Sequence, residues 1–166
     1  MHVNSSQMNL PLIEFQIDFD RSQLLAQAED REGYQTFVDP KTNATIPGWH
    51  IKRVNQGYAR KLTDFFKKEF ALVDCRPRFY IQDPGVDIGF HIDRQTLCSF
   101  NFLLSEDPDP ITFRSGTMFY TNALLNTTVE HAVLATKNRR VLFKISVFDK
   151  SFEEVSSVLP TRLQFR

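Results

Sequence analysis

The sequence lacks the features that would mark a secreted, membrane-spanning or strongly charged protein. It has only two cysteines, Cys75 and Cys98, spaced too far apart for a CxxC motif, and one pair is a poor disulfide framework. Twenty basic residues balance twenty acidic ones, so we expect no nucleic-acid partner. The N-terminus has no signal-peptide pattern, and no apolar run is long enough to cross a bilayer. These absences favour a cytoplasmic protein with two reduced thiols and no membrane partner.

The length of 166 residues suits one compact domain, and the sequence has no internal repeat or linker. Its first part predicts an alternating strand over residues 11–19 and a helix capped by Asp20. A second, amphipathic helix is predicted over about residues 56–70. Between them, residues 31–48 are rich in turn formers and predict a loop that could hold or cover a substrate.

From residue 71 onwards the pattern changes to short apolar or alternating runs separated by turn signals, one of them at residues 107–110. The predicted strands are 78–82, 88–92, 97–104, 111–113, 118–120, 128–135 and 140–149. Closely spaced strands without intervening helices favour an antiparallel sandwich or jelly roll. We therefore predict one domain in which residues 1–75 are a helical and loop buttress, 76–149 the β core and 150–166 a C-terminal extension.

Three residues of the predicted β core form a candidate metal site. His91 and Asp93 are two positions apart, so in a strand their side chains share one face and can ligate one cation. The alternative is a turn aspartate beside a hydrogen-bonded histidine. His131 is the only histidine after Asp93, and its β-like surroundings make it a third ligand. Two imidazoles and one carboxylate on one face can hold iron(II) and leave the opposite positions open.

Arg140 stands nine positions beyond His131, at the start of a strand-like run. A guanidinium binds a carboxylate through two parallel hydrogen bonds, which is what the distal carboxylate of 2-oxoglutarate requires. The alternative is a surface arginine at the beginning of a strand.

The order of His91, Asp93, His131 and Arg140, with a strand that ends at Val147-Phe148-Asp149, resembles the iron(II)- and 2-oxoglutarate-dependent dioxygenases. The similarity is to the prolyl-hydroxylase-like branch, and in particular to its compact phage and bacterial members. It covers roughly residues 79–149. The resemblance implies a mainly β fold with N-terminal helices: a double-stranded β-helix, that is, a cupin-like jelly roll, buttressed by two or so α-helices.

The resemblance also implies site residues and an activity. The metal ligands carry over to His91, Asp93 and His131, the residue that anchors 2-oxoglutarate to Arg140, and a tyrosine near this co-substrate to Tyr80. The implied cofactors are iron(II) and 2-oxoglutarate. With O₂, such an enzyme hydroxylates a C–H bond of a peptide or protein residue or of a small metabolite, releasing succinate and CO₂. The rival hypotheses are a non-catalytic cupin or jelly-roll module that binds a metal or ligand, and a metal enzyme that does not use 2-oxoglutarate.

The strand faces extend the candidate site. If Arg140 points inward, then Lys144 and Ser146 on the same strand face point inward too, and Ser99 and Asn101 line the same cavity from their own strand. The alternative places both polar faces in solvent. A buried ammonium needs a partner, so Lys144 either binds a carboxylate or substrate, or argues against this orientation.

Trp49 and His50 come at the end of the predicted loop. Trp49 is either a substrate contact or a core residue. His50 is interpreted as a hydrogen-bonded structural histidine.

Overall fold

A computed structural model describes residues 10–106 and 110–165. The predicted turn at 107–110 falls almost entirely outside these ranges. The elements are, in chain order, β1 (Leu12–Glu14), β2 (Gln16–Asp18), α1 (Arg21–Glu29), β3 (Gln35–Val38), β4 (Thr45–Arg53), α2 (Gly57–Glu69), β5 (Cys75–Gln82), β6 (Ile88–His91), β7 (Cys98–Leu103), β8 (Ile111–Phe113), β9 (Gly116–Met118), β10 (Asn122–Leu125), β11 (His131–Val133), β12 (Arg140–Val147), α3 (Phe152–Ser156) and β13 (Arg162–Gln164).

Two antiparallel sheets form the body of the protein. The larger has seven strands in the order β1-β10-β7-β12-β5-β4-β3, and the smaller has four in the order β6-β11-β8-β9. Side chains from both sheets, such as Leu103 and Leu142 from the large one and Phe113 from the small one, share one buried cluster. The two sheets therefore pack face to face, and the predicted jelly-roll class is confirmed.

The helices cover the outer face of the large sheet. Helix α2 buries Leu62 and Phe66 completely, and the Phe66 ring centroid lies 4.6 Å from that of Phe100 and 5.7 Å from that of Phe102. Burying a side chain of this size stabilises the fold by about 1.5–3 kcal/mol. The helical buttress thus uses one face of β7 and β12, and the opposite face is left for the interior between the sheets.

The prediction of a loop over residues 31–48 was wrong in part, because β3 and the beginning of β4 lie within it. These strands form a hairpin at the edge of the large sheet. The turn formers sit at its tip, where the Asp39 N–H donates to the Ala44 carbonyl at 2.8 Å and Asn43 has a φ of 56°. The turn signals were real, but they mark the end of a hairpin and not a long loop.

The ends of the described chain also differ from the predictions. The strand predicted over 11–19 is divided at Phe15 into β1, which pairs with β10, and β2, which pairs in parallel with β13. Helix α3 and strands β10 and β13 were not predicted. Asp20 does cap α1, since its carboxylate accepts a hydrogen bond from the Gln23 N–H at 3.2 Å. None of the helices described is long and apolar enough to cross a membrane.

Both cysteines are free thiols on strands that flank β12. Val147 is the register partner of Cys75 on one side and of Cys98 on the other. Two strand spacings place their Cα atoms about 10 Å apart, which is beyond the reach of a disulfide.

Candidate active site

The three predicted metal ligands meet at one point on the interior face of the small sheet. His91 ends β6 and His131 begins β11, and the two are register partners, so their side chains leave the sheet on the same side. Asp93 follows β6, and its N–H donates to the Thr127 carbonyl at 3.1 Å, which holds the turn next to the loop before His131. One ligand atom from each of the three residues lies within 4.8 Å of the other two.

Both imidazoles are oriented by the backbone. Nδ1 of His91 lies 2.7 Å from the Gly89 carbonyl oxygen, and Nδ1 of His131 lies 2.7 Å from the Val129 carbonyl oxygen. A carbonyl oxygen only accepts, so each Nδ1 carries the proton and directs Nε2 towards the other ligands. Metal-binding histidines commonly have this arrangement.

The Nε2 atoms of both histidines face the same oxygen of Asp93. The distances from Oδ1 are 3.3 Å for His91 and 3.4 Å for His131. Neutral imidazoles held in this way direct lone pairs at a carboxylate, so either a proton or a cation must lie between them. The donor set therefore fits a divalent metal ion. The His91 side chain is 35% exposed and that of His131 only 5%, so the site opens on the β6 side.

The carboxyl group of Asp93 is ionised at neutral pH. Burial alone raises its pKa, but the charge of Lys144 and the close contacts with His131 and His91 hold the pKa well below its ordinary value. Burial lowers the pKa of His91, and the stronger combined effect of its contacts with Asp93 and Gly89 raises it. The lowered pKa of Asp93 and the raised pKa of His91 agree with a cluster in which the Asp93 carboxylate attracts a cation.

Arg140 is a buried cation that has no anionic partner among residues 10–106 and 110–165. It begins β12, is 2% exposed and donates from one terminal nitrogen to the Tyr120 hydroxyl at 2.9 Å. Its Nε atom is buried without a hydrogen-bond partner, and no described carboxylate lies within 4.0 Å of the guanidinium. A buried, uncompensated charge is costly. This arrangement suits the binding of an external carboxylate.

Tyr120 completes a hydrogen-bonded chain beside Arg140. Its hydroxyl oxygen also accepts from the Asn101 amide at 3.1 Å, and the amide oxygen of Asn101 accepts from the Ser99 hydroxyl at 2.8 Å. Because both acceptor positions of the hydroxyl are filled, its own proton is free to be donated to a ligand. Sequence reasoning missed Tyr120, whose only signal was its place in a strand-like run.

The remaining predicted cavity residues share this interior. Trp49 packs against Tyr80 with ring centroids 5.3 Å apart, and both belong to the cluster between the sheets. Ser146 is buried opposite Ser99. Lys144 points inward and forms an ion pair with Asp93.

His50 lies apart from the metal ligands. It contacts Asp83 at 3.0 Å, as a structural histidine would. Sequence reasoning also missed Gln82, the fully buried register partner of Arg140. The side-chain oxygen of Gln82 has no hydrogen-bond partner among the residues described.

Comparison by sequence gives no matching family model and no matching curated protein. Comparison by structure gives several solved proteins with a similar fold. A prolyl-4-hydroxylase from Pseudomonas putida is 18% identical, with a TM-score of 0.56 over 78% of this chain and 86% of that one. The viral collagen prolyl hydroxylase of Paramecium Bursaria Chlorella virus-1, solved as a 2-oxoglutarate complex, is 8% identical, with a TM-score of 0.55 over 84% and 96% of the two chains. An oxidoreductase of the 2OG-Fe(II) oxygenase family from Burkholderia pseudomallei is 14% identical, with a TM-score of 0.54 over 80% and 82%.

The chain has the fold of these oxygenases. The structures similar to it include prolyl hydroxylases, so the resemblance seen in the sequence is confirmed at the level of the fold. At identities of 8–18% the shared fold does not transfer an activity, and the function must be argued from the site.

Proposed function

We propose that this protein is a non-haem iron(II)- and 2-oxoglutarate-dependent oxygenase that hydroxylates a C–H bond. One observation carries the proposal: the converging ligand atoms of His91, Asp93 and His131 face the same interior as Arg140, a buried cation with no carboxylate partner in the described part of the chain. A metal site alone would serve many enzymes. A metal site together with a buried guanidinium that can bind a second, anionic group favours a dicarboxylate co-substrate.

Each polar residue then has a task. His91, Asp93 and His131 would hold iron(II), which with 2-oxoglutarate and O₂ supplies the oxidising chemistry and leaves succinate and CO₂ as products. Arg140 would bind the distal carboxylate of 2-oxoglutarate in a bidentate manner. Tyr120 would donate its free proton to the same carboxylate.

The supporting groups orient this site and exclude water. Asn101 and Ser99 fix the orientation of the Tyr120 hydroxyl. Trp49, Tyr80 and Leu142 line an apolar interior, which excludes water and strengthens these electrostatic contacts.

For the substrate we propose a peptide or protein residue, with a small metabolite as the other possibility. The support is that two of the similar structures are prolyl hydroxylases, one of them named for collagen. Substrate candidates can be tested by incubating peptide pools with the iron-loaded protein, 2-oxoglutarate and O₂, and by searching for a mass gain of one oxygen atom.

The primary test is binding without O₂. Manganese(II) serves as a redox-inert metal, and its affinity is measured before 2-oxoglutarate is titrated by calorimetry. We expect the wild type to bind both. We expect His131→Gln and Asp93→Asn to lose most of the metal affinity, by about a hundredfold. His50→Gln is the matched control, because His50 also contacts an aspartate but lies apart from the cluster.

The co-substrate has its own matched pair of variants. Arg140→Gln should weaken 2-oxoglutarate binding, while Arg139→Gln should not, because Arg139 is paired with Glu29 near the surface. With iron(II) and O₂, succinate release measured by NMR should follow the same ranking. A wild type that binds neither metal nor 2-oxoglutarate, or a His131→Gln variant with unchanged metal affinity, would refute the proposal.

A further inference from the structure

Lys144 is the one charged group of the inner face of β12 that touches a proposed metal ligand. Its side chain is 15% exposed and its ammonium contacts Oδ2 of Asp93. The Tyr80 ring lies 5.9 Å away, within reach of a cation–π contact. No second carboxylate of residues 10–106 and 110–165 lies within 4.0 Å of the ammonium. The buried lysine and Asp93 therefore compensate each other's charge.

The two oxygens of Asp93 have different partners. Oδ1 faces the Nε2 atoms of His91 and His131 at 3.3 and 3.4 Å, whereas Oδ2 is held by Lys144. A carboxylate can bind a cation through one oxygen or through both. Binding through both would make Oδ2 share its lone pairs between Lys144 and the metal ion, and the repulsion between these two cations on one oxygen disfavours it.

We propose that Lys144 is a positioning residue that occupies Oδ2 of Asp93 and so makes Asp93 a one-oxygen ligand, which keeps a coordination position open for the co-substrate. This inference rests on the proposed function. It assigns a role to a residue that would touch neither the substrate nor the co-substrate, and it explains why a lysine is buried beside the ring of Tyr80.

Removing Lys144 should change the metal affinity and the co-substrate affinity in opposite directions. Without Lys144, Oδ2 is free to join Oδ1 on the metal, and a positive charge next to the cation is removed, so the metal binds more tightly. The extra oxygen then fills a position that 2-oxoglutarate needs, so the co-substrate binds more weakly. A general loss of structure would instead weaken both.

The experiment uses Lys144→Met, which keeps an unbranched side chain only one atom shorter and removes its charge. We expect manganese(II) to bind about tenfold or more tightly. On the manganese-loaded protein, we expect 2-oxoglutarate to bind about tenfold or more weakly. Lys144→Arg should restore both constants towards the wild type. Lys68→Met on α2, which removes an exposed lysine, should change neither.

A third readout needs no co-substrate. When a chelator keeps the protein metal-free, Lys144→Met leaves Asp93 buried without its lysine partner, so the unfolding temperature should be lower than that of the wild type. Adding manganese(II) should then raise the unfolding temperature of the variant by more than it raises that of the wild type. If Lys144→Met does not fold, Lys144→Gln is measured in its place, with the same opposite shifts expected.

The outcomes separate the two proposals. If both affinities change in the same direction, or neither changes, or only the metal affinity changes, the role given to Lys144 is wrong while the proposed function stands. A wild type that binds neither ligand refutes the proposed function, and this inference with it.

Discussion

Replacement of Arg140 by methionine should change stability and ligand binding in opposite directions. In the ligand-free protein the guanidinium is buried with an unpartnered Nε and makes a hydrogen bond to Tyr120. Leaving such a cation uncompensated costs several kcal/mol, and losing a hydrogen bond of a charged group costs about 1.5–3 kcal/mol. Arg140→Met removes the cost of the buried charge and loses the hydrogen bond, and the first effect is the larger. We therefore expect Arg140→Met to raise the free energy of unfolding by about 1 kcal/mol.

The same substitution should nearly abolish 2-oxoglutarate binding. Two charge-assisted hydrogen bonds, at about 1.5–3 kcal/mol each, correspond to a loss of roughly a hundredfold to ten-thousandfold in affinity. Urea unfolding of the metal-free protein gives the first quantity, and calorimetry on the manganese-loaded protein gives the second. Arg139→Met is the control for both. A variant that is destabilised by more than about 1 kcal/mol, or that keeps its affinity for 2-oxoglutarate, would show that Arg140 is a structural residue.

Three further predictions concern single groups. Tyr120→Phe removes the acceptor of two buried donors, so urea unfolding should show a free energy of unfolding that is lower by about 1–3 kcal/mol. Calorimetry should show weaker 2-oxoglutarate binding. If neither quantity changes, the hydrogen-bonded chain through Tyr120 is contradicted. Hydrogen bonds from Ser22 and Gln23 lower the pKa of Asp20 to about 2. Its contribution to stability is therefore complete above the ordinary pKa of 3.8 and lost as the pH falls through 2. Urea unfolding should show that the free energy of unfolding changes less with pH over this acid range in Asp20→Ala than in the wild type. Burial raises the pKa of the Cys98 thiol to about 12, so mass spectrometry after iodoacetamide treatment at neutral pH should find it unmodified in the native protein and modified after unfolding.

Much of the candidate site could be predicted because strand geometry is local. The period of two placed His91 and Asp93 on one face, and the same rule connected the orientation of Lys144 to that of Arg140. The structure brings all four to the interior between the sheets. Their binding of iron(II) and 2-oxoglutarate stays a prediction.

The remaining contacts depend on register between distant strands. The partner of Lys144 lies 51 residues away along the chain, and sequence reasoning could only state that some carboxylate or substrate was needed. Tyr120 comes beside Asn101 because β10, which follows it, pairs with β7, and no local pattern contains that information. Helix α3 is different, since the capping box of Ser151 and Glu154 could be read directly from the sequence.

The parallel pairing of β13 with β2 affects how the protein is made. A hydrogen bond between Arg162 and Gln16 joins positions 146 residues apart, so β2 emerges from the ribosome long before its partner strand exists. Contacts of such long range slow folding. Throughout that interval the nascent chain carries an unpaired strand edge, which is a site for association with other chains and with chaperones.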